Sequence, residues 1–220
     1  GFLYAASERD NSAKGVNRNS ILRIDPAGTG PDLVAVKEWD ITSLLPDVAA
    51  NTGIEAVEWV PAGTVAGTLT DEATSAPFDP AVYGAAAVYF VAFEDNGHVY
   101  AFILGEDGSA TRIGDFTTGL SGAMALDYDS TAGALWVACD DGCDGTLAQL
   151  RFTAGQAAPQ VSHIARPSGL PNTNNEGFAT TDQCIDGVRA VFWFTDGVRP
   201  GALQRGGLDC ESTPVTTDPA

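Results

Sequence analysis

Short apolar segments recur along the chain, each bounded by Gly, Pro, Asn or Asp, and none carries a helical stripe for more than about two turns. One set of segments shares a pattern: Phe2–Glu8, Val88–Glu94, Ala134–Asp140 and Ala190–Asp196 are each an apolar run closed by an acid. The closing acids fall at 8, 94, 140 and 196, giving intervals of 86, 46 and 56 residues. The first interval is long because a Gly/Thr/Ala/Pro-rich stretch from Pro61 to Tyr83 is inserted there. A partner strand follows three of these acids, at Ser20–Asp25, His98–Ile103 and Thr146–Phe152, the second joined through Asn96-Gly97, a hairpin dipeptide. A more polar strand comes next, around Val34–Ile41, Ala110–Phe116 and Gln160–Arg166. Ahead of the later acid-closed runs stands another strand, at Gly53–Trp59, Gly122–Tyr128 and Glu176–Thr181.

Four antiparallel strands per unit, at a period of roughly 40 to 50 residues, predict an all-β chain built as a β-propeller of four-stranded blades. The second strand of each unit is apolar on both faces, as a sheet sandwiched between neighbouring sheets requires. The count gives two complete blades and two partial ones, so a partial propeller is expected over residues 1–212, with an inserted loop at 62–83 and a disordered tail at 213–220. Gly1–Ser7 opens inside what reads as a buried strand, so further sequence is expected upstream.

Composition supports this picture and narrows the partners. The 220 residues contain 25 Gly, 12 Pro and two lysines, a vocabulary of turns rather than of long helices. Eleven Lys+Arg against 29 Asp+Glu give a formal charge of -18, a field that repels nucleic acid and anionic lipid. No apolar run reaches the length of a membrane-spanning helix. Four cysteines, Cys139, Cys143, Cys184 and Cys210, predict two disulfides and an extracytoplasmic location, although spacing alone leaves three pairings open. Zinc is not expected, because no second close pair or nearby His completes a tetrahedral set around Cys139 and Cys143.

The candidate chemistry centres on acids. Asn51-Thr52-Gly53-Ile54-Glu55-Ala56 and Asn172-Thr173-Asn174-Asn175-Glu176-Gly177 both set a Glu among Asn and Gly at the opening of a blade's first strand. That strand lines a propeller's axis, so Glu55 and Glu176 would face a common pocket, where gathered carboxylates and Asn carbonyls suit Ca2+. The acids Glu8, Glu94, Asp140 and Asp196 form a second set on one rim, more simply read as solvating the strand ends. Arg9, Lys14, Arg18 and Arg23 lie within 15 positions and offer a landing site for a carboxylate or phosphate, or pair with nearby acids. Asp140–Gly145 fails as an EF-hand loop because Gly142 stands at a ligand position. Serine-hydrolase and phosphate-loop motifs are missing, and neither His98 nor His163 has a nucleophile beside it in sequence. Trp39, Trp59, Trp136 and Trp193 are expected to pack between blades.

The phrases Leu3–Asp10, Asn51–Ala56, Leu135–Asp140 and Asn174–Ala179 resemble the phytase-like family, also called "esterase-like activity of phytase", along nearly the whole chain to Cys210. The resemblance implies a secreted bacterial β-propeller that hydrolyses phosphate or carboxyl esters, with calcium. Glu55 and Glu176 match the family's Glu-Gly strand openings, except that Ala56 stands in place of Gly. The expected activity is therefore calcium-dependent phosphoester hydrolysis, with Glu55 and Glu176 catalytic, Glu55, Glu176 and Glu94 holding Ca2+, and Arg9 and Arg18 steadying a small anionic substrate. A non-catalytic propeller binding an envelope ligand, and a lactonase-type propeller on the same carboxylates, are the alternatives.

Overall fold

A computed structural model describes residues 1–10, 12–28 and 32–210. Strands take 49% of the residues and helices 7%, so the chain is all-β. Sheet I comprises β1 (Leu3–Arg9), β2 (Asn17–Ile24) and β3 (Ala35–Asp40). Sheet II starts with β4 (Ile54–Pro61). The chain then detours through α1 (Ala62–Val65), the two-stranded β5 (Thr70–Asp71) and β6 (Ala76–Pro77), and α2 (Pro80–Tyr83). It returns to sheet II as β7 (Ala87–Phe93), β8 (His98–Leu104) and β9 (Ala110–Thr117). Sheet III is β10 (Ala125–Asp129), β11 (Ala134–Ala138), β12 (Leu147–Arg151) and β13 (Gln160–Ile164). Sheet IV is β14 (Asn175–Ile185), β15 (Val188–Thr195) and β16 (Leu203–Asp209). Each of the four is an antiparallel meander in chain order, and none closes on itself.

The sheets stack face to face, and the alternation of β7 shows how. Tyr89, Val91 and Phe93 enter the core shared with Ile21, Trp39 and Ile41 of the first sheet's region, whereas Val88, Phe90 and Ala92 enter the core shared with Leu135 and Val137 of sheet III. β11 repeats the division, with Leu135 and Val137 facing sheet II and Trp136 and Ala138 joining Phe178, Val191 and Trp193 of sheet IV. A strand with a period of two that is apolar at every position must be buried on both faces. Contact between sheets runs through their opening strands, β4 against β1 and β10, and β10 against β14.

Several local features differ from the sequence reading. The 62–83 insertion is folded, and Val65, Leu69 and Phe78 bury themselves in the core between sheets II and III. Asp71 organises it, accepting hydrogen bonds from the Tyr83 hydroxyl (2.6 Å) and the Thr74 hydroxyl (2.9 Å). The β7–β8 connection is four residues long rather than two: Gly97 N–H reaches back to the Phe93 carbonyl (3.1 Å), so Glu94 sits inside the turn. Gly97 is needed there, since its φ is +68° and a Cβ would collide with the Leu120 carbonyl. Trp39, Trp136 and Trp193 pack between sheets as expected, but Trp59 on β4 is 46% exposed. The tail expected at 213–220 lies outside the described residues.

Cys139 pairs with Cys143 and Cys184 with Cys210, with Cα–Cα distances of 6.0 and 5.9 Å. Two such bridges fit an oxidising environment. No helix among the described residues is long and apolar enough to cross a membrane.

Candidate metal centre

The site is set by three register irregularities at corresponding strand ends. Ile54 lies opposite Phe93 and Ala56 opposite Ala92, so Glu55 is the extra residue of a β-bulge. Asn175 lies opposite Thr195 and Gly177 opposite Phe194, so Glu176 is the extra residue of a second bulge. In sheet I the shift falls between Ser7 and Arg9, where the extra residue lies on β2 and Arg18 and Asn19 together stand opposite Glu8. Bulges of this kind re-aim a side chain away from the regular pleat. Main-chain bonds then bring in the strand-closing acids: Glu94 N–H donates to the Gly53 carbonyl (2.8 Å) and Asp196 N–H to the Asn174 carbonyl (2.9 Å).

Asn19 fastens sheet I to sheet II at this end. Fully buried, it accepts the Ile54 N–H at its Oδ1 (2.9 Å) and donates from Nδ2 to Asn17 Oδ1 (2.8 Å). Gly53 is a glycine because a Cβ there would run into that Asn19 oxygen and lie 3.2 Å from the Glu8 Cβ. Sheet IV uses its own device: Asn175 accepts the Thr195 hydroxyl (2.6 Å), and Asn174 Nδ2 donates to Glu176 Oε1 (2.9 Å).

The outcome is that carboxylate oxygens of Glu8, Glu55 and Glu94 all lie within 4.8 Å of one another. Glu55 is pushed up to about 8, first by burial and then by the negative charges of Glu8, Glu94 and Glu176 and a hydrogen bond with Glu8. Burial also raises Glu94, with Glu8, Asp140 and Glu176 adding to the effect. Glu176 is raised by burial against the hydrogen bond from Asn174, and Asp196, Asp140 and Glu8 push in the same direction as burial. Four sheets thus contribute to one negative field. Glu8 Oε2 is shielded from solvent without a hydrogen-bond partner among the described residues. Among those residues, no Lys or Arg forms an ion pair with Glu8, Glu55, Glu94 or Glu176.

Of the metal ligands expected from the sequence, Glu55 and Glu94 are brought together, and Glu176 shares their field from outside the tight group. Glu8, first read as a solvated strand end, occupies the third place. The phrase that could have singled it out is the shared apolar-run-then-acid pattern, since Glu8 and Glu94 hold equivalent positions in it. Sheet III departs from the rule. Met124 stands where the others have Glu, and Asp140 turns its carboxylate onto the Gly142 N–H (2.9 Å). Arg9, directly after Glu8 on β1, donates to Asn51 Oδ1 in the turn ahead of β4. Arg18 is held by Glu38 (3.0 Å) and Asp40 (3.5 Å) on β3. His98 Nδ1 lies 2.6 Å from Asp115, and His163 Nε2 lies 2.7 Å from the Thr118 carbonyl, so neither faces these glutamates.

No protein-family model matches the chain, and a search of curated proteins finds no match either.

Proposed function

We propose that the four stacked meanders are consecutive blades of a β-propeller, and that the protein is a secreted, calcium-dependent phosphoester hydrolase of the phytase-like kind. The observation that carries the reading is the convergence of Glu8, Glu55 and Glu94, with Glu176 behind them, with no Lys or Arg ion-paired to them among the described residues. The outer strands of a propeller diverge while the opening strands stay close, and contact between neighbouring sheets here runs through those opening strands.

Glu8, Glu55 and Glu94 would hold the ion: they are hard oxygen donors grouped at ligand spacing, and the unpartnered Glu8 Oε2 fits that use. Calcium bound there supplies positive charge toward an anionic substrate and acidifies bound water. Glu176 is oriented by Asn174 and raised above an ordinary carboxylate, which makes it the better base for taking a proton from water at its free oxygen. Arg9, adjoining Glu8, meets the phosphoryl oxygens, since the Arg18 guanidinium is already occupied by Glu38 and Asp40.

The test is phosphate release from p-nitrophenyl phosphate and from phytate, with calcium and with excess EDTA. Turnover should need calcium, return when calcium is restored, and fall at least about a hundredfold in Glu176→Gln, the scale of a lost general base. Release that continues undiminished in EDTA would refute the proposal.

A further inference from the structure

Sheets II and III are covered on both faces, whereas no buried core among the described residues covers the outward faces of sheets I and IV. The strand-closing acids give the register of the stack. Counted back from them, the second and fourth positions meet the following sheet: Ala6 and Tyr4 meet sheet II, Ala92 and Phe90 meet sheet III, and Ala138 and Trp136 meet sheet IV. On β15 these positions are Phe194 and Phe192, and Phe194 is 51% exposed. The third and fifth positions receive the preceding sheet, as Val91 and Tyr89, Val137 and Leu135, and Trp193 and Val191 do. On β1 they are Ala5 and Leu3, and Leu3 is 52% exposed. Sheet IV therefore ends on the kind of face that covers a following sheet, and sheet I begins on the kind that receives a preceding one. Their charges match too. Arg205, exposed and without an ion pair among the described residues, stands on β16 opposite Phe192. On sheet I, Glu38 stands opposite Leu22, which stands opposite Ala5, and it shares Arg18 with Asp40. That group keeps one net negative charge, at nearly the same level of the stack as Arg205.

We propose that a second copy of this chain covers these faces, sheet IV of each copy stacking on sheet I of the other. The contact would continue the one that already joins sheets I to II, II to III and III to IV, with the same strand positions meeting. Apolar faces of this kind seldom stay bare on a single chain. A contact between two unlike faces either closes into a ring or runs on as a fibre. Two copies of a four-sheet stack bring the total to the upper end of the range of about four to eight blades in which propellers close, so one two-fold pair covers both faces of both chains. Arg205 of each copy then meets Glu38 of the other, which fixes which face goes with which. The inference rests on the propeller reading of the stack and not on the metal or the hydrolysis, so its test reads mass rather than turnover.

The experiment is sedimentation velocity of the full chain from about 1 to about 100 µM, a span that brackets micromolar affinity. The expected mass is twice the 22.8 kDa of one chain. Arg205→Glu and Glu38→Arg should each weaken the pair at least about tenfold, because like charges then face each other at both contacts. An equimolar mixture of the two variants should regain the affinity of the unmodified chain, since every contact between unlike copies again joins opposite charges. Circular dichroism checks that these two exposed substitutions leave the fold intact. The mass of one chain at every concentration overturns the proposal and gives the two faces to another occupant. A dimer that responds to only one of the variants overturns it too, because a face would then be pairing with itself. So does a mass that grows past two chains with concentration, the mark of an open fibre, or a mixture that fails to recover.

Discussion

The buried Asp129 and the partly buried glutamate cluster are treated in opposite ways. Between sheets III and IV, Asp129 is wholly buried, and burial alone would raise it. Yet Arg189 meets it with two hydrogen bonds of 2.7 Å, and Ala132 and Trp136 add donors, so its carboxyl is held below the ordinary value. At the strand ends of sheets I and II, Glu8, Glu55 and Glu94 are crowded together without an ion pair to any Lys or Arg among the described residues, and Glu55 rises to about 8. Asp129, kept for the fold, comes with its counter-ion encoded in the chain. A cluster left without one is arranged for a cation from solution, or else holds protons that it will lose as pH rises.

The strongest way to break this contrast is to remove the encoded counter-ion. Arg189→Met should destabilise the fold by about 3–5 kcal/mol, because it strands Asp129 as a buried unpaired charge. In the double variant Asp129→Leu with Arg189→Met, most of that loss should be recovered. Denaturant midpoints of the two variants check this, and equal losses in both would show that packing, not charge, dominates there.

Next in size is the effect of the external cation. Calcium at about a hundred times its dissociation constant should stabilise the folded chain by about 2.7 kcal/mol, read as a rise in melting temperature that EDTA reverses. Magnesium, which demands a tighter octahedral shell, should do less.

A smaller effect follows from protons. The folded-state value of Glu55 lies above its unfolded value, so the folded chain binds the extra proton. Its contribution to stability is therefore fully present below about pH 4.5 and is lost as pH rises through about 8. Without calcium, stability should fall across that window by about 2 kcal/mol after allowance for solvent screening, and Glu55→Gln should flatten the fall. The smallest effect belongs to the surface. Arg18→Ala breaks two ion pairs that are about half exposed, and it should cost under about 1 kcal/mol in a thermal melt.

Much of the architecture was legible because sheet stacking writes itself into local pattern. The run Val88–Phe93 is apolar at every position, which only a strand covered on both faces tolerates, and the repeat of such runs gave the order of the sheets. Glu55 and Glu176 were legible because Asn and Gly mark the bulges that aim them. Glu8 was harder to place. Its partners are 47 and 86 residues away, and its position depends on how Asn19 joins two sheets, which no local spacing expresses. The Asp129–Arg189 pair, 60 residues apart, escaped the sequence reading for the same reason, and so did the folding of the 62–83 insertion around Asp71. Long-range pairing of polar groups leaves no periodic trace, whereas long-range burial of apolar groups does.

Calcium binding by the glutamate cluster can be read by calorimetric titration of the folded chain at pH 7 in two buffers of different ionisation enthalpy. Saturable calcium binding accompanied by proton release is expected, as Glu55 gives up the proton it holds, with both signals lost in Glu8→Gln and in Glu55→Gln. Heat that shows no saturable calcium binding, or binding of unchanged affinity and without proton release in those two variants, would contradict it.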